Sequence, residues 1–294
     1  MNKVLIDMQL LPGAEKFLPK DDAVITGLEV LESGMTNKNY LCTTVTGNKY
    51  VVRVPGVNTS EIINRQHEWS NHHKIARLKL NVEHVSYLEH SWIKTSVFIK
   101  DKFPDLIDAE IKIDMVCRSL KKLHHSKIIF DNDFWAGKMI GIYEKVAAEN
   151  GIKLEEDYYK LRASLKEKYD DYLYSNINWA PCHNDLVKEN ILWDGARNVY
   201  LIDWEYSGMN DPLWDVSSYI LENGLNADEE ACMLQRYFSG EPARKDIHKI
   251  VSLFKIYQDV LWYVWAKIRT FHGCEYSEYA TGRIDRAIEH YTAI

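Results

Sequence analysis

Between residues 23 and 99 the apolar and β-branched positions come in short runs: Ala23 to Leu31, Tyr40 to Val45, Lys49 to Val54, Val82 to Leu88 and Ile93 to Ile99. Small polar stretches separate the first three, Glu32 to Asn39 and Thr46-Gly47-Asn48, and runs bounded in this way predict strands. One longer stretch, Glu61 to about Leu80, predicts a helix, with Ser60 placed to cap it and Glu61 in its first turn. From Asp105 onward the spacing lengthens. Ile107, Ile111, Met115, Leu120 and Leu123 trace the apolar face of a helix from Asp105 to Ser126. Further helices are predicted at Phe134 to Asn150, Lys153 to Asn176, about Trp214 to Glu222, Ala227 to Phe238, Ala243 to Thr270 and Tyr276 to the end. Residues 1 to 22 read as a leading helix or arm.

One stretch of the second half breaks the helical pattern and carries the chemistry. Residues 181 to 206 begin Pro-Cys-His183-Asn184-Asp185, reach Asn190 five residues after Asp185, and continue into two short apolar runs, Ile191 to Trp193 and Val199 to Ile202, joined through Asp194-Gly195. Apolar runs joined by a Gly-containing turn predict a hairpin. Folding it brings Asn190 near Asp203, at the end of the second run, with Asp185 in front of them. Asn190 and Asp203 offer oxygen ligands to a hard cation such as Mg²⁺, which binds through few protein groups plus substrate phosphates. Asp185 is then placed to accept a proton from a substrate hydroxyl. This is the layout H-x-D-x-x-x-x-N followed by a metal-binding Asp that serves phosphoryl transfer in kinases.

His183-Asn184-Asp185 with Asn190, followed by Ile202-Asp203-Trp204-Glu205-Tyr206, resembles the choline/ethanolamine kinase family, in particular its bacterial choline kinases, within the aminoglycoside-phosphotransferase and protein-kinase-like fold. The resemblance implies an α+β fold of two lobes. Residues 1–101 would form the N-lobe, an antiparallel β-sheet with one main helix. Residues 102–294 would form a mainly helical C-lobe holding the catalytic loop, the metal site and the substrate pocket. It also implies MgATP as donor and Glu205 and Tyr206 as residues near the acceptor.

In that setting Ser33, Gly34, Met35, Thr36, Asn37 and Asn39 form the loop over the nucleotide phosphates, where backbone N–H groups of small residues approach an anion closely. No G-x-x-x-x-G-K-[ST] phosphate loop is present. Arg53, on the third strand, takes the place of the kinase lysine and offers a planar donor fork to phosphate. Glu68 is the first choice for its acidic partner and Glu61 the second. Lys100 and Lys102 fall in the expected hinge, whose backbone binds the adenine edge. Asp215, in Asp211-Pro-x-x-Asp215, is expected to hold the catalytic loop rather than to react. His124 and His125 are successive helical residues and do not share a face, so they are not expected to bind metal; the family has a similar Leu-His ending here, which the resemblance implies packs against the catalytic loop.

Seven of the nine tryptophans lie at or beyond Trp135. Trp262 and Trp265, three residues apart on one predicted helix, share a face, and Tyr276 and Tyr279 follow the break at His272-Gly273. A quaternary ammonium offers no N–H to a hydrogen bond. Aromatic faces recognise it instead, each contributing about 0.5–2 kcal/mol. The family's Trp-x-x-Trp segment lines that pocket, and Glu222 stands where the family has an acid near the cation. Paired tryptophans at this spacing are also a core pattern, so periodicity alone leaves both readings open.

Composition narrows the classes further. Over 294 residues, 46% hydrophobic and 27% charged content is that of an ordinary globular chain. A net charge of −7 gives no nucleic-acid footprint. Five scattered cysteines without metal-ligand spacing fit reduced thiols in the cytoplasm, and Cys182 reads as a packed neighbour of the catalytic loop. No signal-peptide architecture and no apolar run of membrane-spanning length is present, so no membrane insertion is expected. The expected activity is phosphorylation of choline to phosphocholine. Ethanolamine, thiamine or an aminoglycoside are alternative acceptors, and a nucleotide-binding pseudokinase is the alternative outside enzymology.

Overall fold

The structure, a computed structural model, describes residues 13–31, 36–88, 91–100, 107–195, 198–240 and 244–294. In chain order the strands are β1 (Ile25–Leu31), β2 (Asn37–Thr44), β3 (Lys49–Pro55), β4 (His84–Leu88), β5 (Ile93–Val97), β6 (Ala180–Cys182), β7 (Ile191–Asp194), β8 (Asn198–Leu201) and β9 (Gly208–Asn210). The α-helices are α1 (Arg65–Ile75), α2 (Ala109–His124), α3 (Ala136–Glu149), α4 (Glu156–Leu165), α5 (Asp171–Ser175), α6 (Pro212–Glu222), α7 (Ala227–Tyr237), α8 (Ile247–Phe271) and α9 (Ser277–Thr292). They form two compact units, one comprising the described residues of Met1–Ser60, Ile75–Ile107 and Glu189–Ile202, the other those of Glu61–Lys74, Asp108–Lys188 and Asp203–Ile294.

The first unit is built on an antiparallel five-stranded sheet in the order β1-β2-β3-β5-β4, as the short apolar runs predict. Alternation puts Tyr40 and Cys42 of β2 on the same face as Tyr50 and Val52 of β3, their register partners. These side chains are buried with Leu18 and Leu28, and form the core of the unit. Gly56 closes β3 because nothing larger fits: a Cβ there would fall 2.0 Å from the carbonyl oxygen of Thr36, at the entry to β2. The β7–β8 hairpin also belongs here, and Leu201 N–H donates to Leu80 O at 2.8 Å.

The second unit is helical. The long helix α8 is buried along much of its length and packs against α3, α6 and α9. Helix α2 starts at Asp108, whose side chain accepts from Glu110 N–H, so the helix begins later than periodicity suggests. The predicted helix from Lys153 to Asn176 starts at Glu156 and runs through a π-helical turn, Lys166–Asp170, between α4 and α5. The predicted helix from Glu61 is shorter still: Thr59–Glu61 is a 3₁₀ turn and α1 begins at Arg65. No described helix is long and apolar enough to cross a membrane.

Candidate active site

The catalytic stretch is strapped to helix α6. The Asp215 carboxylate accepts two successive backbone N–H groups, His183 at 2.8 Å and Asn184 at 2.7 Å. Ser218 Oγ accepts Leu186 N–H at 3.1 Å, and Asn223 Nδ2 donates to Leu186 O at 3.2 Å. Asn184 ties the loop to the chain beyond the hairpin. Its side-chain amide donates to Tyr206 O at 3.0 Å and accepts from Asn210 Nδ2 at 2.9 Å. Trp214 Nε1 donates to its backbone carbonyl at 3.2 Å. These bonds hold Asn184 at φ +70°, a left-handed conformation that costs a non-glycine residue free energy. Asp203 is also left-handed, at φ +64°, just before a single 3₁₀ turn, Trp204–Tyr206. The two left-handed non-glycine residues of the motif thus adjoin or are the residues given chemical roles.

Asp185 sits half-buried in the loop. Burial pushes its carboxyl well above the usual carboxylate range, and the neighbouring charges of Asp203, Glu205 and Glu222 push it further, against a smaller opposing effect of Arg283. The surplus negative charge and the oxygen-only donor set suit a hard divalent cation. In the first unit the Asn190 carbonyl accepts Ile202 N–H at 2.9 Å, so the hairpin closes on the residue preceding Asp203.

Glu205 is buried at the start of α1's network. Arg65 Nη1 donates both to Glu205 Oε2 at 2.7 Å and to Glu68 Oε2 at 2.8 Å. A cation in the first turn of a helix opposes the helix dipole, so Arg65 is there for these two carboxylates and not for helix stability.

The aromatic residues form a connected series of rings. Tyr206 meets Trp262 edge-on at 5.0 Å between centroids, and Trp262 meets Trp265 at 6.3 Å and 87°. Trp265 meets Tyr276 at 5.3 Å and Tyr279 at 6.3 Å. Glu222 lies beside this series, with its carboxylate gripped by Arg283.

Residues 27–246 match the phosphotransferase enzyme family, a span of most of the chain. This chain belongs to the phosphotransferase enzyme family. Protein LicA of Haemophilus influenzae is 30% identical to this phosphotransferase over 264 residues, covering 87% of the chain and 77% of the relative. The solved structure of the choline kinase LicA from Streptococcus pneumoniae aligns with TM-score 0.80 and 28% identity, over 99% of this chain and 97% of that one. A structure of LicA in complex with AMP aligns with TM-score 0.79 at the same identity, over 98% and 97% of the two chains. The kinase-like fold expected from the sequence, an antiparallel sheet followed by a helical part, is the fold of this phosphotransferase.

The sequence-predicted residues fall in three groups. Asp185, Asp203, Glu205, Tyr206, Glu222, Trp262, Trp265, Tyr276 and Tyr279 lie in the second unit, linked by the ring contacts and electrostatic effects above. Glu68 is in that unit too, and Arg65 is a partner that sequence reading did not single out. Thr36, Asn37, Asn39, Arg53, Lys100 and Asn190 lie in the first unit. There Asn39, Arg53 and Lys94 are successive register partners across β2, β3 and β5 and share one face. Arg53 and Lys94 are both buried. Lys94 was not expected, because an alternating strand lysine reads as solvent-facing. Ser33, Gly34, Met35 and Lys102 lie outside the described residues.

Two smaller expectations concern the loop's surroundings. His124 Nε2 donates to Asp215 at 3.1 Å and its Nδ1 lies 2.7 Å from Tyr237 OH, so this histidine braces the loop through Asp215. Cys182 comes within ligand distance of His124 and Asp215, all three buried. Burial pushes its thiol well above the usual range, which disfavours a nucleophilic thiolate, and the Asp215 carboxylate already accepts two backbone N–H groups.

Proposed function

We propose that this phosphotransferase is a choline kinase, which transfers the γ-phosphoryl group of ATP to the hydroxyl of choline. The observation that carries this reading is the series of rings from Tyr206 through Trp262 and Trp265 to Tyr276 and Tyr279, in the same unit as Asp185. A trimethylammonium head has no N–H to donate and is bound by ring faces. A small alcohol without that head would gain little from five aromatic side chains.

In the reaction Asp185 accepts the choline hydroxyl proton as the oxygen bonds to the γ-phosphorus. The bond from that phosphorus to the β–γ bridging oxygen breaks, and ADP leaves with its electron pair. Such chemistry is mostly positioning and electrostatics, and needs no covalent enzyme intermediate. Asn190 and Asp203 are the proposed ligands of Mg²⁺, which supplies neutralisation of the phosphate charge. Thr36, Asn37, Asn39 and Arg53 are assigned to the nucleotide, together with Ser33, Gly34, Met35, Lys100 and Lys102, and Lys94 joins them. Arg65 holds Glu205 beside Asp203. The five cysteines are free, in keeping with a cytoplasmic enzyme.

The direct test is to follow MgATP and choline with the protein by ³¹P NMR. The reading predicts loss of the γ-phosphate signal and growth of one phosphomonoester that co-migrates with phosphocholine. Release of inorganic phosphate alone would contradict it.

A further inference from the structure

Arg283, on α9, is not among the sequence-predicted residues, yet it touches two of them, Glu222 and Tyr279. It is buried, and its guanidinium makes four contacts. Nη1 donates to Glu222 Oε1 at 2.5 Å and Nη2 to Glu222 Oε2 at 2.8 Å, a bidentate fork. Nη1 also donates to Asp259 Oδ1 at 2.9 Å, and Nη2 to Tyr279 OH at 2.6 Å. The guanidinium carbon lies 4.7 Å from the centroid of the Tyr279 ring. Arg286 closes the network, donating to Asp259 Oδ2 at 2.8 Å through Nε. Two arginines therefore balance two carboxylates, Glu222 and Asp259.

This arrangement alters what Glu222 offers a ligand. Both its oxygens already receive guanidinium N–H groups, and its charge is compensated in place. A quaternary ammonium loses little by this, because ring faces and diffuse field are all it uses. A primary ammonium loses much. Its three N–H donors need acceptors once buried, and an unmet buried donor carries a desolvation penalty.

We infer that Arg283 is a specificity-determining residue: by occupying both oxygens of Glu222 and fixing Tyr279, it leaves the ammonium end of the acceptor with ring faces and a compensated Glu222, and so favours a quaternary over a primary ammonium alcohol. The inference rests on the choline kinase reading and deepens it. Arg283 works by rejecting ethanolamine, whereas the rings work by attracting choline.

The test is the ratio of kcat/KM for choline to kcat/KM for ethanolamine in wild type, Arg283→Met and Arg283→Lys, with the KM for ATP measured alongside. Arg283→Met should move the ratio at least tenfold toward ethanolamine, chiefly through a lower ethanolamine KM, with the ATP KM held. Arg283→Lys keeps a charge but loses the fork, and should move the ratio the same way by at least threefold. It also decides the matter if the methionine variant does not fold. A ratio unchanged in the folded variants, or an equal loss for both alcohols, would overturn the inference and leave the choline kinase reading standing. A wild type that phosphorylates neither alcohol, or prefers ethanolamine, would overturn that reading and this inference with it.

Discussion

Asp215 Oδ1 accepts the backbone N–H of Asn184 at 2.7 Å, across 31 residues of sequence, and both residues are fully buried. The bond fixes the residue before the proposed base in a left-handed conformation. Replacing Asp215 by Ala orphans two buried N–H groups at once, each worth about 1–3 kcal/mol. We expect Asp215→Ala to lower stability by on the order of 2–4 kcal/mol in chemical denaturation. In the folded fraction kcat should fall while the KM for ATP stays near wild type. Wild-type stability would mean that the loop is held by other bonds.

Trp262 stands between Tyr206 and Trp265 in the ring series. One aromatic face contributes about 0.5–2 kcal/mol to a bound ammonium, or roughly two- to thirtyfold in affinity. Trp262→Ala should raise the choline KM by at least that factor and leave the ATP KM within about twofold, whereas Trp262→Phe keeps a face and most of the affinity. Equal changes in both KM values would make Trp262 a core residue only.

Asp203 tests the proposed metal role. Asp203→Asn keeps the size and tolerates the left-handed backbone, but loses the negative charge. Charge stabilisation by a metal ion is worth several kcal/mol, so kcat should fall by on the order of a thousandfold. Activity within a few-fold of wild type would remove Asp203 from the ligand set.

Asp22 contributes acid-sensitive stability to the first unit. Its carboxylate accepts from Thr46 Oγ1 at 2.6 Å, Asn48 Nδ2 at 2.8 Å and Tyr50 OH at 2.9 Å. The Thr46 bond foremost lowers its pKa from 3.8 to about 2, against the opposing effect of burial, with Asn48, Thr44 and Tyr50 adding to the lowering. A lowered folded-state pKa contributes stability that is fully present above the unfolded value and is lost as pH falls through the folded value. The stability difference between wild type and Asp22→Asn should therefore hold at pH 5 and shrink between about pH 4 and pH 2. A difference constant over that window would contradict the assignment.

What the sequence revealed depended on distance along the chain. His183, Asp185, Asn190 and Asp203 are legible because a loop, a hairpin and their spacing place them locally. Trp262 and Trp265 are legible because a helix repeats every three to four residues. Arg65 pairs with Glu205 across 140 residues and Arg283 with Glu222 across 61, and no periodicity records such pairings. An arginine in an amphipathic helix such as α9 reads as part of its polar face until tertiary packing buries it. Helix ends depart from the periodicity where a side chain decides them, as Asp108 does for α2.

The central claim is that the proposed pocket selects a quaternary ammonium alcohol for phosphorylation. The most direct measurement is ADP formation from MgATP with choline, ethanolamine, thiamine and kanamycin, each titrated to saturation. The account predicts saturable turnover with choline and a kcat/KM for choline well above that for ethanolamine. Preference for ethanolamine or kanamycin, or nucleotide binding without ADP formation on any alcohol, would contradict it.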